Sequence, residues 1–258
     1  MILVIFAALS LETLSGYFPS LKLILNMTLI GLLIVVLFSF WKFPLYRIGA
    51  YFSSGLAHAL GFAILFGFMP QGFSYAILDL IFPGSVIINP NWLHVKNPSS
   101  GTLLLIVSFL VLYLNTLIGE EAGWRGYLVR GMAEKYSRGK LVWLSSLLFA
   151  FWHIPYDLII FHMDPINLML NQTVRFLNGA AFAYFFVATR WSLIPVALFH
   201  TIYNFVLYRI VNPSGPFLPQ LTNIQGLLFL IIQLIITVAV LLIVRQWAIR
   251  KGNWSPIP

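Results

Sequence analysis

The residues able to do chemistry in this chain are few, and they stand inside apolar runs. Glu120 and Glu121 are adjacent in Ile118-Gly119-Glu120-Glu121-Ala122-Gly123-Trp124-Arg125, at the end of an apolar stretch that begins at Thr102. His153 follows in Phe149-Ala150-Phe151-Trp152-His153, and His200 and Asn204 in Phe199-His200-Thr201-Ile202-Tyr203-Asn204. Ionisable groups in such surroundings are costly and are functional candidates by default. Glu121 and Arg125 are spaced i, i+4 with the acid first, the favourable order for a helical ion pair. On an α-helix Glu120 points about 100° away from that face. One carboxylate is therefore expected to be neutralised and structural, and the other available for chemistry. His200 and Asn204, also i, i+4, present two polar tips on one face.

A carboxylate, two imidazoles and an amide suit hydrolysis of a peptide bond. Such hydrolysis needs an activated water and donors for the oxyanion of the tetrahedral intermediate. The carboxylate can take a proton from water, a neighbouring His can share that water, and His and Asn side chains can donate to the oxyanion. No acyl-enzyme route is visible, because the chain has no Cys and no GxSxG motif. Zinc is an alternative, with Glu120, His153 and His200 as ligands. It lacks an HExxH motif, and the two His lie on separate helices.

The elements that hold these residues are membrane helices. Of 258 residues, 60% are hydrophobic and 9% charged, against about 25% charged in ordinary soluble domains. Mean hydropathy is +0.92. A soluble globule of this length cannot hide so much apolar surface. The net charge of +8 comes from Lys and Arg scattered between apolar runs, which excludes a nucleic-acid partner and points to topology. Runs of about 20 apolar residues mark spans. They fall at Met1–Phe18, Leu21–Trp41, Ser54–Phe82, Thr102–Gly119, Leu141–Phe161, Val174–Thr189, Ser192–Ile210 and Ile224–Trp247, with Pro155 expected to break the fifth. The fold class expected is thus all-α: a polytopic membrane protein of about eight transmembrane helices, one integral membrane domain over residues 1–258. Met1–Phe18 is either a full span or a half-span. Lys42, Arg47, Arg130, Lys135, Arg138, Lys140, Arg190, Arg245, Arg250 and Lys251 fall on one side, and only Lys22 and Lys96 on the other. The positive-inside rule then puts both termini in the cytoplasm. Glu120 and His153 flank the basic turn with their midpoint between Tyr136 and Ser137, so an antiparallel hairpin brings them to equal depth.

Taken in order, Glu120-Glu121-x-x-x-Arg125, Phe149-x-x-x-His153 and His200-x-x-x-Asn204 resemble the CPBP family. That family comprises intramembrane CAAX prenyl endopeptidases of the second type and bacteriocin-processing or immunity-linked proteins. The resemblance covers about Thr102 to Tyr208, the motif-bearing core. It implies an eight-helix fold with a catalytic cavity open to the cytoplasm, and a glutamate-type endopeptidase without a cofactor. By that resemblance Glu120 activates water with His153 assisting, His200 and Asn204 form the oxyanion site, and Glu121 and Arg125 support them. The family has also been described as metalloproteases, so the zinc alternative stays open. The implied partners are the lipid bilayer and a membrane-associated peptide or protein C-terminus, prenylated or not. Two other functions compete. A non-catalytic binding or immunity protein would keep the constellation for structure. A transporter with a Glu/His relay would show inverted repeats, and none is found in the sequence.

Overall fold

The computed structural model describes residues 56–84, 106, 109–159, 163–206 and 223–251, and every element among them is helical. With little water to bind backbone N–H and C=O groups, a chain this apolar satisfies them within helices. α1 runs over Leu56–Ile81, with one π-helical turn at Met69–Phe73. α2 covers residues 109–133: α-helical over 109–115, π-helical over Thr116–Val129 and α-helical again over Arg130–Ala133. α3 is Arg138–Ile159, α4 Pro165–Ala188, α5 Leu193–Phe205 and α6 Asn223–Lys251. The expected spans Met1–Phe18 and Leu21–Trp41 lie outside the described residues. By length and composition α1 (mean hydropathy 1.4) and Ile224–Lys251 of α6 (3.2) suffice to cross a membrane. α5 is apolar over its described residues Leu193–Phe205.

α4 is the hub. It packs against α3 on one side and α6 on the other, while α1 packs against α5. From Asn178 to Ala188 every α4 residue is buried, as expected of a helix apolar around its whole circumference. Two glycines permit the closest approaches. A Cβ at Gly67 of α1 would lie 2.6 Å from the Phe199 carbonyl oxygen, and one at Gly179 of α4 would lie 3.2 Å from the Ser146 backbone.

The turns fix the depth of the site. The α2–α3 hairpin closes at Glu134–Ser137, where Lys135 and Tyr136 N–H groups donate to the Met132 carbonyl at 3.0 and 2.9 Å. This is the turn expected from the midpoint of Glu120 and His153. α4 begins with Asp164, whose carboxylate accepts from the N–H groups of Ile166 (3.0 Å) and Asn167 (3.1 Å), followed by Pro165 at the first helical position. Between α4 and α5, Arg190 and Trp191 both adopt left-handed backbone, with φ of 58° and 61°. That conformation costs about 1–2 kcal/mol for each non-glycine residue. It is held by Trp191, fully buried, whose N–H donates to Phe186 O (2.8 Å) and whose carbonyl accepts from Arg130 Nη2 (3.3 Å).

Pro155 corrects the sequence reading. α3 does not break there but continues to Ile159. A proline removes one N–H and crowds one carbonyl, and in membrane helices neighbouring groups often compensate.

Candidate active site

Glu120, Glu121 and Arg125 all sit in the π-helical part of α2. Its wider turn, closed by i→i+5 bonds, is a rare conformation that recurs at functional sites. The segment carries Gly119, Gly123 and Gly126, all buried, which disfavour a regular α-helix and let neighbours come close. One imidazole meets both carboxylates through different nitrogens: His200 Nδ1 lies 2.6 Å from Glu121 Oε1, and its Nε2 lies 3.8 Å from Glu120 Oε2. The first is a short hydrogen bond. The second is a charge contact, too long for a hydrogen bond.

Glu121 is fully buried and doubly engaged. Its Oε1 also accepts from Arg125 Nη1 at 2.9 Å, the i, i+4 pair read from the sequence. Arg125 is in turn clamped between aromatic faces, 4.8 Å from the Phe149 ring centre and 5.1 Å from that of Phe182, and its Nη2 reaches the Gly179 carbonyl at 3.5 Å. Such stacking favours a guanidinium. The ring of Phe182 also stacks on His200 at 4.7 Å. A carboxylate accepts, so His200 Nδ1 carries the proton of its bond to Glu121, and Nε2 is turned toward Glu120.

His153, buried on α3, directs Nδ1 to the Phe149 carbonyl at 2.7 Å. A carbonyl can only accept, so this nitrogen is the donor and Nε2 is the free lone pair of the neutral ring. Phe149 spans the two imidazoles, 4.7 Å from the His153 ring and 6.0 Å from that of His200. Trp124 packs on Phe149 and Trp152, at 5.5 and 6.3 Å, and forms part of the same wall. Asn204, half-buried, lies one turn beyond His200 on α5.

Residues 102–206 match the model of the family described as Type II CAAX prenyl endopeptidase Rce1-like. The match spans 105 of the chain's 258 residues. It coincides with the core that bears the CPBP-like motifs, and it contains Glu120, Glu121, Arg125, His153, His200 and Asn204. Among the described residues two helices are long and apolar enough to cross a bilayer. No curated protein matches the chain, and no solved structure does.

A zinc ion at this site would have to bind the Nε2 atoms of His153 and His200, because a hydrogen-bonded Nδ1 leaves Nε2 as the ligating nitrogen. His200 Nδ1 is committed to Glu121 and His153 Nδ1 to a backbone carbonyl. Among the described residues no group of three or more His, Cys, Asp or Glu side chains is arranged to hold a metal ion.

Asp157, one turn past His153, turns to α4, where its Oδ2 accepts from Asn171 (3.3 Å), Gln172 and Arg175. Arg175 is the residue that sequence reasoning missed. It lies within electrostatic reach of both Glu120 and His153. An Arg in an otherwise polar-to-apolar helix was its only signal.

Proposed function

We propose that this protein is an intramembrane endopeptidase in which Glu120 activates water against a peptide bond. What carries the reading is His200, hydrogen-bonded by Glu121 at 2.6 Å and turned toward Glu120 at 3.8 Å. A buried carboxylate that already has Arg125 as counter-charge can orient an imidazole without competing for the reaction. Among the described residues Glu120 has the longer 3.8 Å contact with His200 in place of such a pair.

In this reading Glu120 takes a proton from a water molecule as its oxygen bonds to the scissile carbonyl carbon. The neutral Nε2 of His153 shares that water. When both of its ring nitrogens carry protons, His200 donates through Nε2 to the developing oxyanion, with the Asn204 amide as second donor. Collapse of the tetrahedral intermediate breaks the C–N bond, and the proton held by Glu120 passes to the leaving amine. Water is consumed, no covalent enzyme intermediate forms, and no metal is required.

The substrate class is a membrane-associated peptide or protein C-terminus, and the family match favours including a prenylated one. The test is purified full-length protein in nanodiscs with a panel of membrane-proximal peptides, farnesylated and not, and products mapped by mass spectrometry. A single cut near the membrane-proximal end supports the reading. A protein that binds panel members yet cuts none of them points to a non-catalytic binding protein.

A further inference from the structure

A second polar cluster lies beyond the catalytic groups, and nothing in the mechanism uses it. Its centre is the Tyr203 hydroxyl, one turn past His200 on α5. Gln233 of α6 donates to it through Nε2 at 2.7 Å, and Gln71 of α1 and Asn178 of α4 face it as well. Tyr75 lies one turn past Gln71 and stacks on Phe229, itself one turn before Gln233, at 4.4 Å. Gln71, Tyr75, Asn178 and Gln233 are 1–3% exposed. Yet Gln71 Oε1, the Tyr75 hydroxyl and both amide atoms of Asn178 have no well-formed hydrogen-bond partner among the described residues. Four helices thus turn neutral donors and acceptors into one interior spot and leave several unmatched.

Buried polar atoms are nearly always paired, and where protein does not pair them ordered water does. The chemistry here fits water better than any alternative. A cation would seek a carboxylate, and the cluster holds none. Arg175, within electrostatic reach of Tyr203, repels one further. An anion would find no charged donor inside the cluster. Unmatched acceptors beside an unmatched donor are what a small hydrogen-bonded water group satisfies.

The position gives that water a role. α5 starts at the α4–α5 turn, so Tyr203 lies deeper from that turn than His200. His200, one turn before Tyr203 on the same helix, places Nε2 3.8 Å from Glu120 Oε2, so the cluster adjoins the catalytic carboxylate. We propose that Gln71, Tyr75, Asn178, Tyr203 and Gln233 form a buried hydration site that supplies the hydrolytic water to Glu120. The hydration follows from the unmatched atoms alone. The supply role rests on the peptidase reading.

X-ray radiolytic labelling of the full chain in nanodiscs tests both, because hydroxyl radicals oxidise buried side chains only beside bound water. The expected result is oxidation of Tyr75, 3% exposed, at a rate near that of exposed Tyr136, with fully buried Phe185 unlabelled. Gln71→Leu and Gln233→Leu should each lower labelling of Tyr75 several-fold. The same variants should lower kcat several-fold with KM unchanged. Tyr75 labelling no faster than Phe185 would overturn the hydration site. Labelling lost in both variants with kcat untouched would overturn the supply role. A wild type that labels as expected but cuts no peptide removes the supply role and the peptidase reading together, with the hydration site intact. Wild-type labelling alone decides hydration, so a variant that fails to fold leaves the test in force.

Discussion

Glu121 holds two positively disposed groups on one oxygen, Arg125 Nη1 at 2.9 Å and His200 Nδ1 at 2.6 Å. The arrangement makes Arg125 worth more than a surface ion pair. Removing it leaves Glu121 buried without its counter-charge, and breaking a buried pair from one side costs about 3–5 kcal/mol. We expect that loss for Arg125→Met, measured by denaturant unfolding in detergent, and partial recovery when Glu121→Gln is added. An Arg125→Met protein as stable as wild type would show that the pair contributes nothing. Residue types and the i, i+4 pair were legible because helical spacing is local. The His200–Glu121 bond was not, because it joins residues 79 positions apart and no periodicity encodes it. Asp157 illustrates the same limit: its partners come from α4, 14 to 18 positions away, and the rotation of α4 against α3 is set by packing.

At the scale of elements, the helix contacts that seat His200 depend on small residues. Gly67 faces the Phe199 carbonyl so closely that a Cβ would stand 2.6 Å from it and 2.9 Å from Ile202 Cβ. Neither obstacle is a flexible side-chain end. Gly67→Ala should therefore push α1 from α5, destabilise by about 1–3 kcal/mol and lower cleavage by shifting His200. Unchanged unfolding and activity would contradict this packing. The α4 cap responds to acid. The backbone N–H of Asn167, its side-chain amide and the N–H of Ile166 hold the Asp164 carboxyl below its ordinary value of 3.8. Because the folded value is the lower one, the cap's contribution is fully present above about pH 4 and is lost as pH falls through the folded value. Asp164→Asn should remove that acid-side slope from a stability–pH profile, whereas a slope equal to wild type would show that other groups produce it. The α2–α3 turn was readable from the symmetry of Glu120 and His153 about the basic residues. The π-helical run in α2 was not, because a conformation poor in intrinsic stability is selected by tertiary contacts. Gly119, Gly123 and Gly126 were its visible trace.

For the whole molecule, ten basic residues assigned to one side against two on the other argue that both termini and the α2–α3 turn face the cytoplasm. The chain has no Cys, so single replacements report topology cleanly. Ser137→Cys should react with an impermeant maleimide only after the cytoplasmic face is opened. Reaction in sealed, right-side-out membranes would invert the topology. The broad class was readable because 60% hydrophobic and 9% charged residues leave a bilayer as the environment that accommodates them. The interior cluster around Tyr203 was not, since it gathers single residues from four helices. The central claim is that Glu120 activates water without a metal. It is tested most directly by cleavage of one mapped substrate in nanodiscs by wild type and Glu120→Gln, each with and without a strong zinc chelator. The account predicts kcat lowered by about 10²–10⁴-fold in Glu120→Gln and wild-type cleavage indifferent to chelation. Wild-type cleavage abolished by the chelator and restored by zinc would contradict it.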